Sequence, residues 1–132
     1  MIFEHFAINV PDPIAIADWY VKNVGLTIVR QENQAPFMTF LADKTGRVVM
    51  ELYYRPEQTI MNFGDQHSLT FHFAMETMNA ETEKNRLLQV GATLFEEQHL
   101  DDGSHLVMLR DPWGICLQIC QRASRMNTTI ID

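Results

Sequence analysis

The strongest constraint on this chain is a pattern that it uses twice. Phe3 to Val10 alternates, with Phe6, Ile8 and Val10 on one strand face and His5, Ala7 and Asn9 on the other. Pro11-Asp12-Pro13 ends that strand and places Asp12 to cap a helix over Pro13 to Asn23. Gly25 stops the helix, and Leu26 to Arg30 reads as the next strand. From Ser68 the order recurs. Leu69, Phe71 and Phe73 alternate with Ser68, Thr70 and His72, a helix covers Asn79 to Val90, and Gly91 closes it. The two helix-closing Val-Gly pairs lie 66 positions apart, Gly46 and Gly114 lie 68 apart, and Glu51 and Gln118 lie 67 apart. Three landmarks at one nearly constant offset predict a βαβββ unit used twice.

The remaining segments fit that unit. Phe37 to Leu41 reads as a strand, Asp43 to Gly46 as a hairpin turn, and Arg47 to Tyr54 as a strand with Glu51 in its apolar middle. In the second half, Thr93 to His99, His105 to Leu109 and Ile115 to Cys120 read as strands. Asp101 to Ser104 and Asp111 to Gly114 are the turns between them. Arg55 to Gln66 carries Pro56 and Gly64 and shows no sustained period, so it reads as a connector. The expected organisation is an α+β chain with one domain over 1–121, modules at about 2–54 and 67–121, a linker over 55–66 and a C-terminal tail over 122–132. At 132 residues the chain can bury one respectable core and is too short for two ordinary domains.

Charge narrows the partners. A formal net charge of −7 argues against a nucleic-acid backbone or an anionic membrane as the main partner and says little about a small-molecule ligand, whose pocket can differ in sign from the whole surface. No apolar run approaches the ~20 residues that span a bilayer, and the sequence reaches Glu4 and His5 after three residues, so no basic and then apolar leader is expected. Cys116 and Cys120 stand four apart on a strand, roughly 13 Å, beyond the ~7 Å that a disulfide allows. A reduced, cytoplasmic protein is the expectation.

The segment His5-x-x-Ile8-Asn9-Val10-x-Asp12, followed by Trp19-Tyr20 and Gly25-Leu26, resembles the opening of the vicinal oxygen chelate superfamily. This group includes glyoxalase I, extradiol dioxygenases, methylmalonyl-CoA epimerase and bleomycin-resistance proteins. Arg110 to Gly114 followed by Ile115 to Ile119 is similar to its other signature, and the resemblance covers residues 2 to 121. It implies two βαβββ modules whose curved mixed sheets surround a concave cavity, with a homodimer around them. It also implies up to four ligands to one divalent ion: Zn, Ni, Mn or Fe. Carried over residue by residue, those positions fall on His5, Glu51, Ser68 and Gln118. The serine is a poor ligand, which leaves His5, Glu51 and Gln118 as the metal set. Asn9, Tyr53, Ser68, Thr70, His72 and Trp113 are the expected substrate-binding residues, and Glu51 the expected catalytic one.

Two functions of different class follow from the resemblance. In the first, a small-molecule lyase or isomerase, the ion chelates two adjacent oxygens of the substrate and stabilises the anion formed on proton removal. In the second, a binding protein of the bleomycin-resistance type, the same cavity sequesters a ligand without any metal. An extradiol-type dioxygenase stands third, because only one of the two histidines such a centre wants is in place. Simpler roles stand beside these. His5 can be a hydrogen-bonded strand residue, Glu51 can pair with Arg30 or Arg47 across the sheet, and Gln118 can be a polar position in a wet cavity. His99 and His105 flank a turn and read as solvated. Cys116 and Cys120 read as small buried residues.

Overall fold

The computed structural model describes residues 1–126; the end of the expected tail, 127–132, lies outside the described residues. The chain divides into two compact units, Met1–Met61 and Asn62–Asp132, so the boundary falls inside the stretch expected as a connector.

The first unit runs β1 (Phe6–Asn9), α1 (Pro13–Val24), β2 (Thr27–Gln31), β3 (Thr39–Ala42) and β4 (Val48–Tyr53). Its four strands lie in the order β1-β4-β3-β2, with β1 parallel to β4 and the other neighbours antiparallel. Asp12 caps α1 as expected: its Oδ1 accepts from the Ala15 amide at 3.0 Å, and Pro13 supplies the fixed φ of the first turn. Gly25 closes the helix at φ 85°, its amide donating to the Tyr20 carbonyl. Ile16, Ala17 and Tyr20 are fully buried on the inner face of α1, against Leu41, Met50 and Leu52 of the sheet. Each large side chain so buried stabilises the fold by about 1.5–3 kcal/mol.

The second unit repeats the plan as β5 (Phe73–Glu76), α2 (Ala80–Leu88), β6 (Thr93–His99), β7 (His105–Arg110) and β8 (Cys116–Gln121), in the order β5-β8-β7-β6. Asn79 is the cap of α2 rather than its first residue; its Oδ1 accepts from the Thr82 amide at 3.0 Å. The two sheets correspond strand by strand. Ala7 pairs with Glu51, and 67 positions later Ala74 pairs with Gln118. Both also carry a register irregularity at the matching place, between Ile28 and Arg30 and between Leu94 and Glu96, which increases local twist.

Two expectations need correction. Phe37 has φ 57°, outside the strand region, so β3 begins only at Thr39. More important for the site, Ser68 to His72 is not strand. Ser68–Thr70 is a turn in which the Thr70 amide donates to the His67 carbonyl, and β5 starts at Phe73. The alternation of Ser68 to Phe73 is compatible with a strand, but no partner strand reaches that far.

Candidate functional site

The open face of the first sheet, turned away from α1, carries the odd-numbered residues of β1 and β4. His5 precedes β1 on that face, and its Nε2 lies 3.0 Å from Glu51 Oε2. The His5 ring stands edge-on to Phe40, 5.4 Å between centroids at 90°, so the apolar ring of the neighbouring strand fixes its orientation. The Glu51 side chain is only 16% exposed and the His5 side chain 26%. Among the described residues neither cation expected for Glu51 reaches it. Arg30 pairs loosely with Glu32 at 3.9 Å, and Arg47 donates to the Phe3 carbonyl while stacking over the Phe3 ring. Among the described residues the half-buried carboxylate is thus paired with the His5 imidazole, at hydrogen-bond distance.

These two residues fit a divalent ion. Ligands on a four-coordinate ion at about 2.0–2.2 Å stand roughly 3.3–3.6 Å from one another, so His5 Nε2 and Glu51 Oε2, 3.0 Å apart, would have to part by a few tenths of an ångström to admit one. His5 Nδ1 is buried and makes no hydrogen bond, yet Glu4 Oε1 stands 3.1 Å away. A carboxylate beside the outer nitrogen of a ligating histidine is the usual support for its orientation.

Register in the second unit separates Ser68 from the position that matches His5. His5 immediately precedes β1, and the residue that immediately precedes β5, 67 positions on, is His72 rather than Ser68. His72 is exposed, and its Nδ1 lies 2.9 Å from the Ser68 carbonyl. A carbonyl only accepts, so Nδ1 carries the proton and Nε2 presents a lone pair. Ser68 is therefore the buried turn residue that orients His72, while its own hydroxyl has no hydrogen-bond partner among the described residues. Gln118 is half-buried in β8, and its Oε1 accepts from the Cys120 thiol at 3.3 Å. Burial raises the pKa of both Cys116 and Cys120, so they are neutral, inert thiols at neutral pH.

The other expected residues divide by what they touch. Asn9 is saturated by backbone: Nδ2 donates to the carbonyls of Arg55 (2.8 Å) and Thr59 (3.2 Å), and Oδ1 accepts from the Arg55 amide (2.8 Å). It anchors the loop after β4. Tyr53 shares the Glu51 face and is half-buried, whereas Thr70 is exposed on the turn before His72. Trp113 is half-buried in the turn between β7 and β8, its amide donating to Asp111 Oδ1 at 2.9 Å.

One cluster was missed. His105 is only 7% exposed, not solvated; it stacks on His99 (4.1 Å, 21°) and meets Glu97 Oε1 at 3.0 Å. Lys84 of α2 bonds the same carboxylate at 2.9 and 3.1 Å, and this contact first, then His105, draws the Glu97 carboxyl below its ordinary range. The signal was legible. With a tight turn at Asp101 to Ser104, period-two alternation puts residues 97, 99 and 105 on one face.

A family model described as a glyoxalase-like domain matches residues 5–120. Among curated proteins none matches the chain in sequence. Among solved structures, lactoylglutathione lyase from Agrobacterium tumefaciens superposes with TM-score 0.66 at 18% identity, covering 90% of this chain and 92% of that one. TnmS3, an antibiotic binding protein from Streptomyces sp. CB03234, gives TM-score 0.65 at 17% identity over 90% and 93%. A glyoxalase I mutant from Zea mays gives 0.68 at 21%, covering 91% of this chain and 45% of that one. At these identities the structures establish a shared fold, and fold alone assigns no reaction.

Proposed function

Since the chain belongs to the glyoxalase-like domain family of the vicinal oxygen chelate superfamily, we propose that it is a small-molecule lyase or isomerase that uses one divalent ion. The observation that carries this reading is the His5–Glu51 pair, half-buried, 3.0 Å apart and without a lysine or arginine partner among the described residues. His5 and Glu51 of the first unit hold the ion; in the second unit His72 and Gln118 stand at the matching register positions. The set held in the first unit is one imidazole and one carboxylate, which leaves the other coordination places to water and substrate oxygens. When bound, the ion supplies a Lewis acid for vicinal oxygens of the substrate. Glu51 is the one carboxylate of the set and the candidate to move a substrate proton; Tyr53, on the same face, lines the approach. The same reading carries a homodimer, the superfamily's usual assembly.

Similarity to an antibiotic binding protein favours a second reading, in which the open sheet faces bind a ligand with no metal. Calorimetric titration of chelator-stripped protein with Zn²⁺ or Ni²⁺ separates the two. The enzyme reading expects one equivalent bound at this site, lost in Glu51→Gln and weakened at least about tenfold in His5→Ala. If neither substitution changes ion binding, the metal-free reading replaces it.

A further inference from the structure

We propose that Glu97, His99 and His105 form a second divalent-cation site of zinc-like chemistry, on the helix side of the β6–β7 hairpin.

Register across the Asp101–Ser104 turn brings the three residues together. The turn closes through the Leu100 amide to the Ser104 carbonyl and the Gly103 amide to the Leu100 carbonyl, with Gly103 at φ 92°. Asp102 Oδ1 adds a bond from the Ser104 amide at 2.8 Å. That turn sets His99 directly across from His105, and Glu97 across from Val107. Alternation then puts all three side chains on the face that α2 covers, where Lys84 reaches Glu97. Gln118 pairs with Met108, which belongs to the opposite face of the same sheet. The hairpin cluster and the expected position in β8 are therefore separated by the sheet itself.

The geometry is that of a ligand set. Glu97 Oε1 lies 3.0 Å from His105 Nε2 and 3.6 Å from His99 Nε2, and one ligand atom from each residue lies within 4.8 Å of the others. The first two separations bracket the ~3.3–3.5 Å edge of a tetrahedron with metal–nitrogen bonds near 2.0–2.1 Å. Two imidazoles and a carboxylate with a fourth place open to water is a chemically sound zinc set. The surroundings support it. Lys84 bonds both oxygens of Glu97, Oε2 at 2.9 Å and Oε1 at 3.1 Å, and so fixes the carboxylate plane with Oε1 toward the two rings, where an ion would replace the longer of the two contacts. Glu81, 2.9 Å from Lys84, offsets the lysine charge, so a cation at Oε1 meets a locally acidic site. An ion-pair network of Lys84, Glu97 and His105 explains those three groups but not His99. Its side chain is 70% exposed and yet is held parallel to His105 with its nitrogen toward the same oxygen.

The test is a Zn²⁺ titration of the full chain after chelator treatment, in the parent, Glu51→Gln, His99→Ala and the double variant. His99 is exposed, so its truncation leaves folding intact, which circular dichroism checks. The proposal expects Glu51→Gln to retain one equivalent, and the double variant to bind it at least about tenfold more weakly. Co²⁺ in Glu51→Gln should show the intense visible absorption of a tetrahedral ion. Equal Zn²⁺ affinity of Glu51→Gln and the double variant overturns the proposal, whatever becomes of the first site. Loss of binding in His99→Ala with none in Glu51→Gln upholds this site and removes the one under Proposed function.

Discussion

At the scale of single residues, chemistry follows from which group is left to face which. Glu51 is informative because the arginines that could have neutralised it are engaged elsewhere, Arg47 with a backbone carbonyl and Arg30 with Glu32. Asn9 shows the opposite case, a polar group on the open sheet face whose hydrogen-bonding capacity is filled by the Arg55–Thr59 loop. The two cysteines give a direct prediction. Burial disfavours the thiolate and is the leading cause of their raised pKa values; Arg110 beside Cys116 and Arg122 near Cys120 only partly oppose it. Since the thiolate is the reactive form, a raised pKa moves reactivity to higher pH. Native protein at pH 8 should therefore react with a thiol reagent far more slowly than free cysteine, with both thiols reacting fast once urea unfolds the chain. Rapid modification of either in the folded protein would contradict this burial.

At the scale of elements, each unit depends on its turns. Gly114 closes the turn between β7 and β8 at φ 88°, and a Cβ there would stand 2.6 Å from the Gly64 nitrogen and 2.7 Å from its Cα. The obstacle is backbone, not a flexible side-chain end. Arg110 locks the same region, its guanidinium donating to the carbonyls of Phe63 (2.8 Å), Gln66 (2.6 Å) and Gly114 (3.1 Å) while lying over the Phe95 ring. Gly114→Ala combines a left-handed φ with that overlap and should destabilise by about 2–4 kcal/mol. Gly46 has a similar φ of 85°, but open space surrounds its missing Cβ, so Gly46→Ala incurs the conformational part alone, about 1 kcal/mol. Urea unfolding midpoints of the two variants test the difference. Equal losses would mean that the approach to Gly64 relaxes at little cost.

For the whole molecule, two properties bear on assembly. Each four-stranded sheet ends in two edge strands, β1 and β2 in one and β5 and β6 in the other. Unpaired edges invite either association or protection. Large apolar side chains also stand exposed, among them Phe3 at 60%, Leu69 at 80% and Met78 at 87%. The proposed homodimer predicts a species of about twice 15.3 kDa in sedimentation at micromolar concentration. A single species of monomer mass would remove that proposal. No helix among the described residues is long and apolar enough to cross a membrane.

The local units and their repetition are legible in the order of residues, because caps, glycine stops and period-two alternation act over a few residues. Asp12, Gly25 and the 67-residue offset between Glu51 and Gln118 are all visible without a fold, whereas Asn79 reads as the first residue of its helix until the structure shows it as the cap. Strand pairing is not local, and what depended on it was decided by tertiary structure. Alternation from Ser68 to Phe73 fits a strand in any register; only the pairing of Ala74 with Gln118 shows that the strand starts at Phe73 and that His72 is the counterpart of His5. The fate of Glu51 depended on whether Arg30 or Arg47 crosses the sheet to it, and neither does. His105, polar and beside a turn, reads as a surface residue until α2 covers its face of the hairpin. Burial then follows from the packing of a helix twenty residues earlier in the chain, a relation that no short window of sequence contains.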